Sequence, residues 1–274
     1  DLVTGVQTCA LPISTDPAAD PRAWPCLDTS TSLNKIVMST GTVCVESTGA
    51  PRISRPLSPR KPHTMFIFDW DDTLLALSEL VQLGIKPLSE VSVSAEVKDQ
   101  LQRIEAAAYD VLALALELGT RVCVVTNAQH GWVQLSARHF LPGLLELLKK
   151  CHITSARTMF EQTFPGDHVR WKSSAIFGQI QAHPKLTTFN GEMNVIAFGD
   201  SESDRRAVLD VGREFPYAQT KNIKFVEQPS FEQLRNELQL ILGSMHDIVE
   251  YTGDLDLMLT VSQLEAQGEA EMEQ

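Results

Sequence analysis

Residues 66–75 read FIFDWDDTLL. The apolar run MFIFD (65–69) stops in a carboxylate, and Asp71, Asp72 and Thr73 follow within four positions. A short apolar run bounded by polar residues reads as a strand buried on both faces, with its acids at the C-terminal end. The same construction recurs downstream. VCVVTN (122–127) closes on Thr126 and Asn127, and NVIAFGD (194–200) closes on Asp200, with Asp204 four residues on. IKFV (223–226) is a weaker run and CHIT (151–154) a fifth. Helical patterns lie between them at 97–119, 132–140, 143–150, 171–181, 202–212 and 230–243, the first ending in Gly119 as a C-cap. Strands alternating with helices predict an α/β fold, a Rossmann-like three-layer sandwich with a central parallel sheet. In such sheets ligands bind beyond the C-terminal strand ends, so the three polar endings point to one shared site.

The rest of the chain is read outward from that core. Of its 274 residues, 1–64 hold eight of the fourteen prolines and no sustained period, and read as a disordered extension. Within it, residues 1–14 (DLVTGVQTCALPIS) resemble the in-frame translation of a common sequencing adapter and are set aside from fold reasoning. The net charge of −12 is uneven. Residues 244–274 carry eight acids and no base, whereas 65–243 carry twenty-two acids against seventeen bases. The expected organisation is therefore an extension at 1–64, a working domain at 65–243 and an acidic, solvated extension at 244–274. Net negative charge speaks against a nucleic-acid partner held by bulk electrostatics. No run approaches the roughly 20 apolar residues of a membrane span, so no membrane partner is expected. The five cysteines are scattered without a CxxC pair, which fits neither a zinc site nor a disulfide framework and points to a reducing, cytoplasmic compartment. A Ser/Thr-rich targeting segment at 15–37 is the alternative for localisation. Cys123, inside an apolar run, reads as a buried small hydrophobe.

The apolar strand followed by DxDxT at 69–73 resembles motif I of the haloacid dehalogenase (HAD) superfamily. Thr126 after VCVV is similar to motif II, Lys172 on a later helix to motif III, and GDSESD (199–204) to motif IV. The four stand in the family's order over roughly 65–243. The resemblance implies a Mg²⁺-dependent phosphatase. Asp69 would be the nucleophile that forms an aspartyl-phosphate. Asp71 would be the general acid and then the base. Lys172 would neutralise charge on the nucleophile and the transferred group, and Thr126 would bond a phosphoryl oxygen. Mg²⁺ would be held by Asp69, the main-chain carbonyl of Asp71, Asp200 and Asp204, an oxygen-only set that suits this cation. Asn127 is kept beside Thr126 as a phosphate-binding candidate, although a turn or core role is the stronger reading of Asn127, His130 and Trp132. Asp72 stands where many members carry glycine and reads as solvated or as capping the next turn; Trp70 reads as packed.

Each piece has a plainer reading when taken alone. Asp69 suits a strand-end turn, and Asp200 and Asp204 suit a helix N-terminus. Order and spacing favour the joint reading. A receiver domain would put its acidic pair on the first strand, and a nucleotide kinase would need GxxxxGK[ST], which is absent. Asp69 to Thr126 spans 57 residues and Thr126 to Lys172 spans 46, both largely taken by predicted elements. No full cap domain fits, so an open site is expected, with a phosphorylated protein as the favoured substrate. The alternatives are a catalytically silent interaction or regulatory module of the same fold, or a small-metabolite phosphatase whose site is closed by oligomerisation.

Overall fold

The computed structural model describes residues 63–86, 93–183, 186 and 193–260. Residues 1–62 of the extension read at 1–64, part of the loop read between 75 and 96, and residues 261–274 lie outside the described residues; the last two residues of that extension, His63 and Thr64, instead open the first strand of the sheet. Six strands form one sheet: β1 (His63–Phe68), β2 (Arg121–Thr126), β3 (His152–Ser155), β4 (Met193–Gly199), β5 (Ala218–Lys224) and β6 (Leu255–Met258). All pairings are parallel, in the order β3-β2-β1-β4-β5-β6. Among the described residues the helices are α1 (Leu77–Gln82), α2 (Ala95–Leu118), α3 (Trp132–Phe140), α4 (Leu145–Leu148), α5 (Ala156–Phe160), α6 (His168–Gln181), α7 (Glu202–Glu214) and α8 (Phe231–Glu250). A 3₁₀ turn, Pro142–Leu144, separates α3 from α4 at the predicted Leu-Pro break.

The apolar runs are continuous because both faces of the sheet are covered. Phe66 and Phe68 of β1 share one core with Val122, Val124, Ile196 and Phe198 and with the inner faces of α2, α3 and α8. Met65 and Ile67 point the other way, into a second core with Cys123, Val125 and Val195 and with α6 and α7. Burial pushes the Cys123 thiol up to about 12, as befits a core residue. The long helix α2 is N-capped by Ser94, whose hydroxyl accepts from Val97 N at 3.2 Å. It ends at Gly119 as expected, but Gly119 is in an extended conformation rather than the left-handed one. Its reason is proximity: a Cβ there would lie 2.8 Å from the Phe66 ring.

The boundary read at 243 moves. Helix α8 runs on to Glu250, burying Met245 and Ile248, and β6 then joins the sheet beside β5. The reason lies in β5, whose sequence AQTKNIK is polar and nevertheless buried. Lys221 Nζ donates to the carbonyls of Ile248 (2.6 Å), Val249 (3.1 Å) and Tyr251 (2.6 Å), closing the C-terminus of α8. Thr220 N donates to Asp254 at 2.8 Å, and Asn222 Nδ2 to Asp256 at 2.9 Å. Arg205 of α7 also pairs with Asp256 (2.6 Å) and with Glu202 (3.2 Å), and Arg206 with Glu202 (3.2 Å). Among the described residues, no helix is long and apolar enough to cross a membrane.

Two outcomes follow. Ending the chain at 243 removes the acceptors of Lys221 and the buried side chains of Met245, Ile248, Leu255 and Leu257, each worth about 1.5–3 kcal/mol. That is comparable with the roughly 5–15 kcal/mol that stabilises a domain. Such a fragment should show no cooperative melt by circular dichroism; a melt close to that of the full chain would refute this account of residues 244–258. Glu237 of α8 is fully buried, accepts from Val226 N at 2.6 Å through Oε1, and leaves Oε2 without a partner. Burial, with Asp200 adding and Lys224 opposing, pushes it up to about 8. The folded state therefore holds a proton that the unfolded state has lost, so stability falls as pH rises from about 4.5 towards 8. Glu237→Gln should leave stability near pH 4.5 little changed and raise it at pH 8, by up to about 1.4 kcal/mol per pH unit in that window. Equal shifts at both pH values in urea titrations would contradict this.

Candidate active site

From β1 the chain steps outward through β2 to β3, then returns to β4 on the other side of β1. The crevice of such a sheet opens at that reversal, between the C-terminal ends of β1 and β4. Asp69 stands there, its N–H donating to Phe198 O of β4 at 2.9 Å. Asp200 follows β4. Asp204 comes from the first turn of α7, where it forms a capping box with Ser201. The helix-terminus reading of Asp204 and its place in the acidic site thus both hold. Gly199 makes the approach feasible, because a Cβ there would lie 2.5 Å from Asp204 Cγ.

Carboxylate oxygens of Asp69, Asp200 and Asp204 all lie within 4.8 Å of one another. Lys172, from the second turn of α6, reaches them from the opposite core. Its Nζ is 3.0 Å from Asp69 Oδ2 and also pairs with Asp204 Oδ1. Helix α6 is N-capped by Asp167, which accepts from Arg170 N at 3.0 Å. Burial alone would lower Lys172, but Asp204 and Asp69 outweigh it and hold the ammonium charged above its ordinary range. Asp69 is raised well above the usual carboxylate range by burial; Lys172 opposes this, and Asp204, Asp200 and Asp71 add to it. Burial and the neighbouring Asp204 push Asp200 up to about 7. Asp69 Oδ1 is buried without a hydrogen-bond partner. One lysine thus faces three carboxylates, one of which leaves an orphaned oxygen. This donor set is oxygen-only and electrically undercompensated, which fits a hard divalent cation.

The Asp71 carboxylate does not join this group. Its Oδ1 accepts from Trp132 Nε1 at 2.7 Å, and burial pushes it up to about 6, against the lowering effect of that bond. Trp70 is fully buried, as expected, and its indole N–H donates to Ser136 Oγ at 2.9 Å. Asp72 is not solvated. It adopts a left-handed conformation (φ 56°), and its carboxylate accepts from Ser78 N at 2.8 Å and from the Ser78 hydroxyl, tying down α1.

Thr126 ends β2, buried beside β1, and its hydroxyl oxygen accepts from Ala128 N at 2.9 Å. Asn127 Nδ2 donates to His168 O at 3.4 Å, and the Asn127 oxygen is left buried and unpartnered. With the amide in this orientation one of its two N–H groups serves α6, and the second is the group that would meet a phosphate. The loop after β2 is strapped to α5: Ser155 Oγ donates to Ala128 O at 2.6 Å, and His130 N donates to Thr158 Oγ1 at 2.9 Å. Sequence reasoning missed the part played by Trp132 and Ser136. Their one signal was the i, i+4 spacing just after Thr126, which puts them on one face of a helix.

Compared with protein-family models, with curated proteins and with solved structures, the chain finds no match in any of the three.

Asp72 offers a clean test of the loop. Asp72→Ala keeps the left-handed strain and loses both bonds to Ser78. It should cost about 1–3 kcal/mol, within the usual penalty for stranding a partly buried donor. Asp72→Gly loses the same bonds but removes roughly 1 kcal/mol of left-handed strain, so it should cost less. Urea denaturation showing the reverse order would overturn this assignment.

Proposed function

We propose that this chain is a Mg²⁺-dependent phosphatase of the HAD type, acting on phosphate monoesters through Asp69. The observation that carries the reading is the Asp69 carboxylate at the sheet's reversal point. One oxygen is held by a buried lysine, the other is unpartnered, and the carboxylate lies within 4.8 Å of those of Asp200 and Asp204.

The residues divide the work as follows. Asp69 attacks phosphorus and becomes an aspartyl-phosphate. Lys172, fixed between Asp69 and Asp204, keeps Asp69 oriented and offsets negative charge on the transferred group. Asp71, two residues along the same loop, gives a proton to the leaving oxygen and then takes one from the attacking water. Its raised pKa suits a group that must be protonated in one half of the cycle and ionised in the other. Thr126 has a hydroxyl proton to give to a phosphoryl oxygen. The cation would be held by Asp69, Asp200 and Asp204, together with the Asp71 main-chain carbonyl by the resemblance. It would supply the positive charge that lets a phosphate approach these acids.

Among the described residues, every helix between β1 and Lys172 contributes side chains to the two cores, which favours an open site and a bulky phosphorylated substrate such as a phosphoprotein. The test uses the full chain with 4-nitrophenyl phosphate, phosphopeptides, sugar phosphates and nucleotides, with and without Mg²⁺. Asp69→Asn and chelation should each reduce turnover by at least about 10³-fold. Mg²⁺ should raise the melting temperature of the wild type but not of Asp200→Asn; saturation a hundredfold above Kd adds about 2.7 kcal/mol. Turnover that survives Asp69→Asn would sink the mechanism. Mg²⁺ binding without turnover on any substrate would favour a silent regulatory module instead. Preference for small metabolites together with a stable oligomer would favour a site closed by a second copy.

A further inference from the structure

Two indoles cross between the Asp69–Thr73 loop and helix α3. Trp70, in the loop, donates to Ser136 Oγ on the helix at 2.9 Å. Trp132, on the helix, donates to Asp71 Oδ1 in the loop at 2.7 Å. Ser136 lies one turn after Trp132 and donates its own proton to Trp132 O at 2.8 Å, so the two crossings share one rigid piece of helix. Trp70 lies between Asp69 and Asp71 in the chain and is wholly buried. Asp71 is thus held on its backbone side by the packed Trp70 and at its carboxylate by Trp132.

An indole N–H only donates. It can bond a carboxyl oxygen that carries no proton, and it cannot accept from one that does. The carbonyl oxygen of a neutral carboxyl is a better acceptor than its hydroxyl oxygen, so while this bond stands the proton of a neutral Asp71 favours Oδ2 over Oδ1.

We propose that Trp132 is a positioning residue for proton transfer: it holds Asp71 Oδ1 and so reserves Oδ2 as the atom that gives and takes the proton. The proposal rests on the phosphatase reading above. In the first half-reaction the Asp69 carboxylate forms a bond to phosphorus. The bond from phosphorus to the ester oxygen breaks, its electron pair stays on that oxygen, and the proton on Asp71 Oδ2 passes to it, releasing an alcohol. In the second half, water oxygen bonds to phosphorus and the Asp69–phosphorus bond breaks with its pair returning to Asp69. One water proton passes to Asp71 Oδ2. The net change is ester plus water to alcohol plus phosphate. Trp132 keeps its bond throughout, so the carboxyl group need not rotate between the halves.

The test is a leaving-group series. General-acid help is needed for poor leaving groups and hardly at all for 4-nitrophenolate, and it is worth about 10²–10⁴-fold. For the full chain in Mg²⁺, kcat/KM is measured on 4-nitrophenyl, phenyl and benzyl phosphate. Trp132→Phe should lower kcat/KM at least tenfold more on benzyl than on 4-nitrophenyl phosphate, with KM changed less than threefold. Replacing Trp132 by 3-benzothienylalanine keeps the ring shape, loses only the N–H, and should give the same pattern. In an Asp71→Asn background Trp132→Phe should cost nothing further. A loss equal across the series, no loss in a folded variant, or a loss that persists with Asp71→Asn would overturn the positioning role while leaving the phosphatase intact. A wild type that hydrolyses neither these esters nor any phosphopeptide overturns the phosphatase reading and this role with it.

Discussion

The ammonium of Lys172 is the group on which the site depends. A parallel sheet places all of its C-terminal strand ends on one side, so the acids that follow β1 and β4 are forced into company. Buried carboxylates within 4.8 Å of each other repel strongly in a medium that screens poorly. Lys172 enters from α6, on the far core from the Asp71 loop, and pairs with Asp69 and Asp204 at once. Removing one partner of such a buried set costs about 3–5 kcal/mol, because the others stay charged and unsolvated. The lysine therefore ties α6, α7 and the end of β1 into a single arrangement, and the second core can pack behind it.

Several of the described atoms that break ordinary packing rules lie near that point, while others, in Gln134, Asn194, Glu237 and Gln239, lie elsewhere. Asp69 Oδ1, Thr73 Oγ1 and Asn127 Oδ1 are buried without partners, and Asp72 takes a left-handed conformation. Most buried polar groups in folded proteins are satisfied, so each exception at these two strand ends marks a place where packing has yielded to another demand. Core exceptions such as Glu237 stand apart from this group and need a separate explanation, which burial beside a single main-chain donor supplies.

Much of this was legible in the sequence, and the losses have identifiable causes. Strands β1, β2 and β4 are continuous apolar runs because both faces are covered, so they announce themselves. Asp69, Asp200 and Asp204 stand out as acids at strand ends, Lys172 was picked out by the resemblance to the family's motifs, and the structure brings the four together. Strand β5 was seen only at its end, because its middle is Thr220, Lys221 and Asn222. A buried polar strand is invisible until its partners are known. Those partners, Asp254, Asp256 and the end of α8, lie in the segment whose charge reads as solvated. A count of acids cannot separate a carboxylate facing water from one that answers a buried amide or an arginine. Helices α1 and α5 went unread because at six and five residues they are too short to show a period. The link from Trp132 to Asp71 joins positions 61 apart, and only the fold shows that α3 lies over the loop.

That placement bears on how the open site proposed above would remain selective in its chemistry. A lidded active site can assemble its groups as it closes, whereas one without a lid must have them in place beforehand. Here the loop after β1 is tied to α3 by two indoles and to α1 by Asp72, and the loop after β2 is strapped to α5 by Ser155 and Thr158. Both of these loops thus hang from helices that pack on the sheet. In the proposed phosphatase, rigidity of this kind would substitute for closure in orienting the reacting atoms, but it would do nothing to recognise what lies beyond a phosphate. Discrimination between substrates would then come from contacts outside the crevice, which a large substrate can offer and a small one cannot.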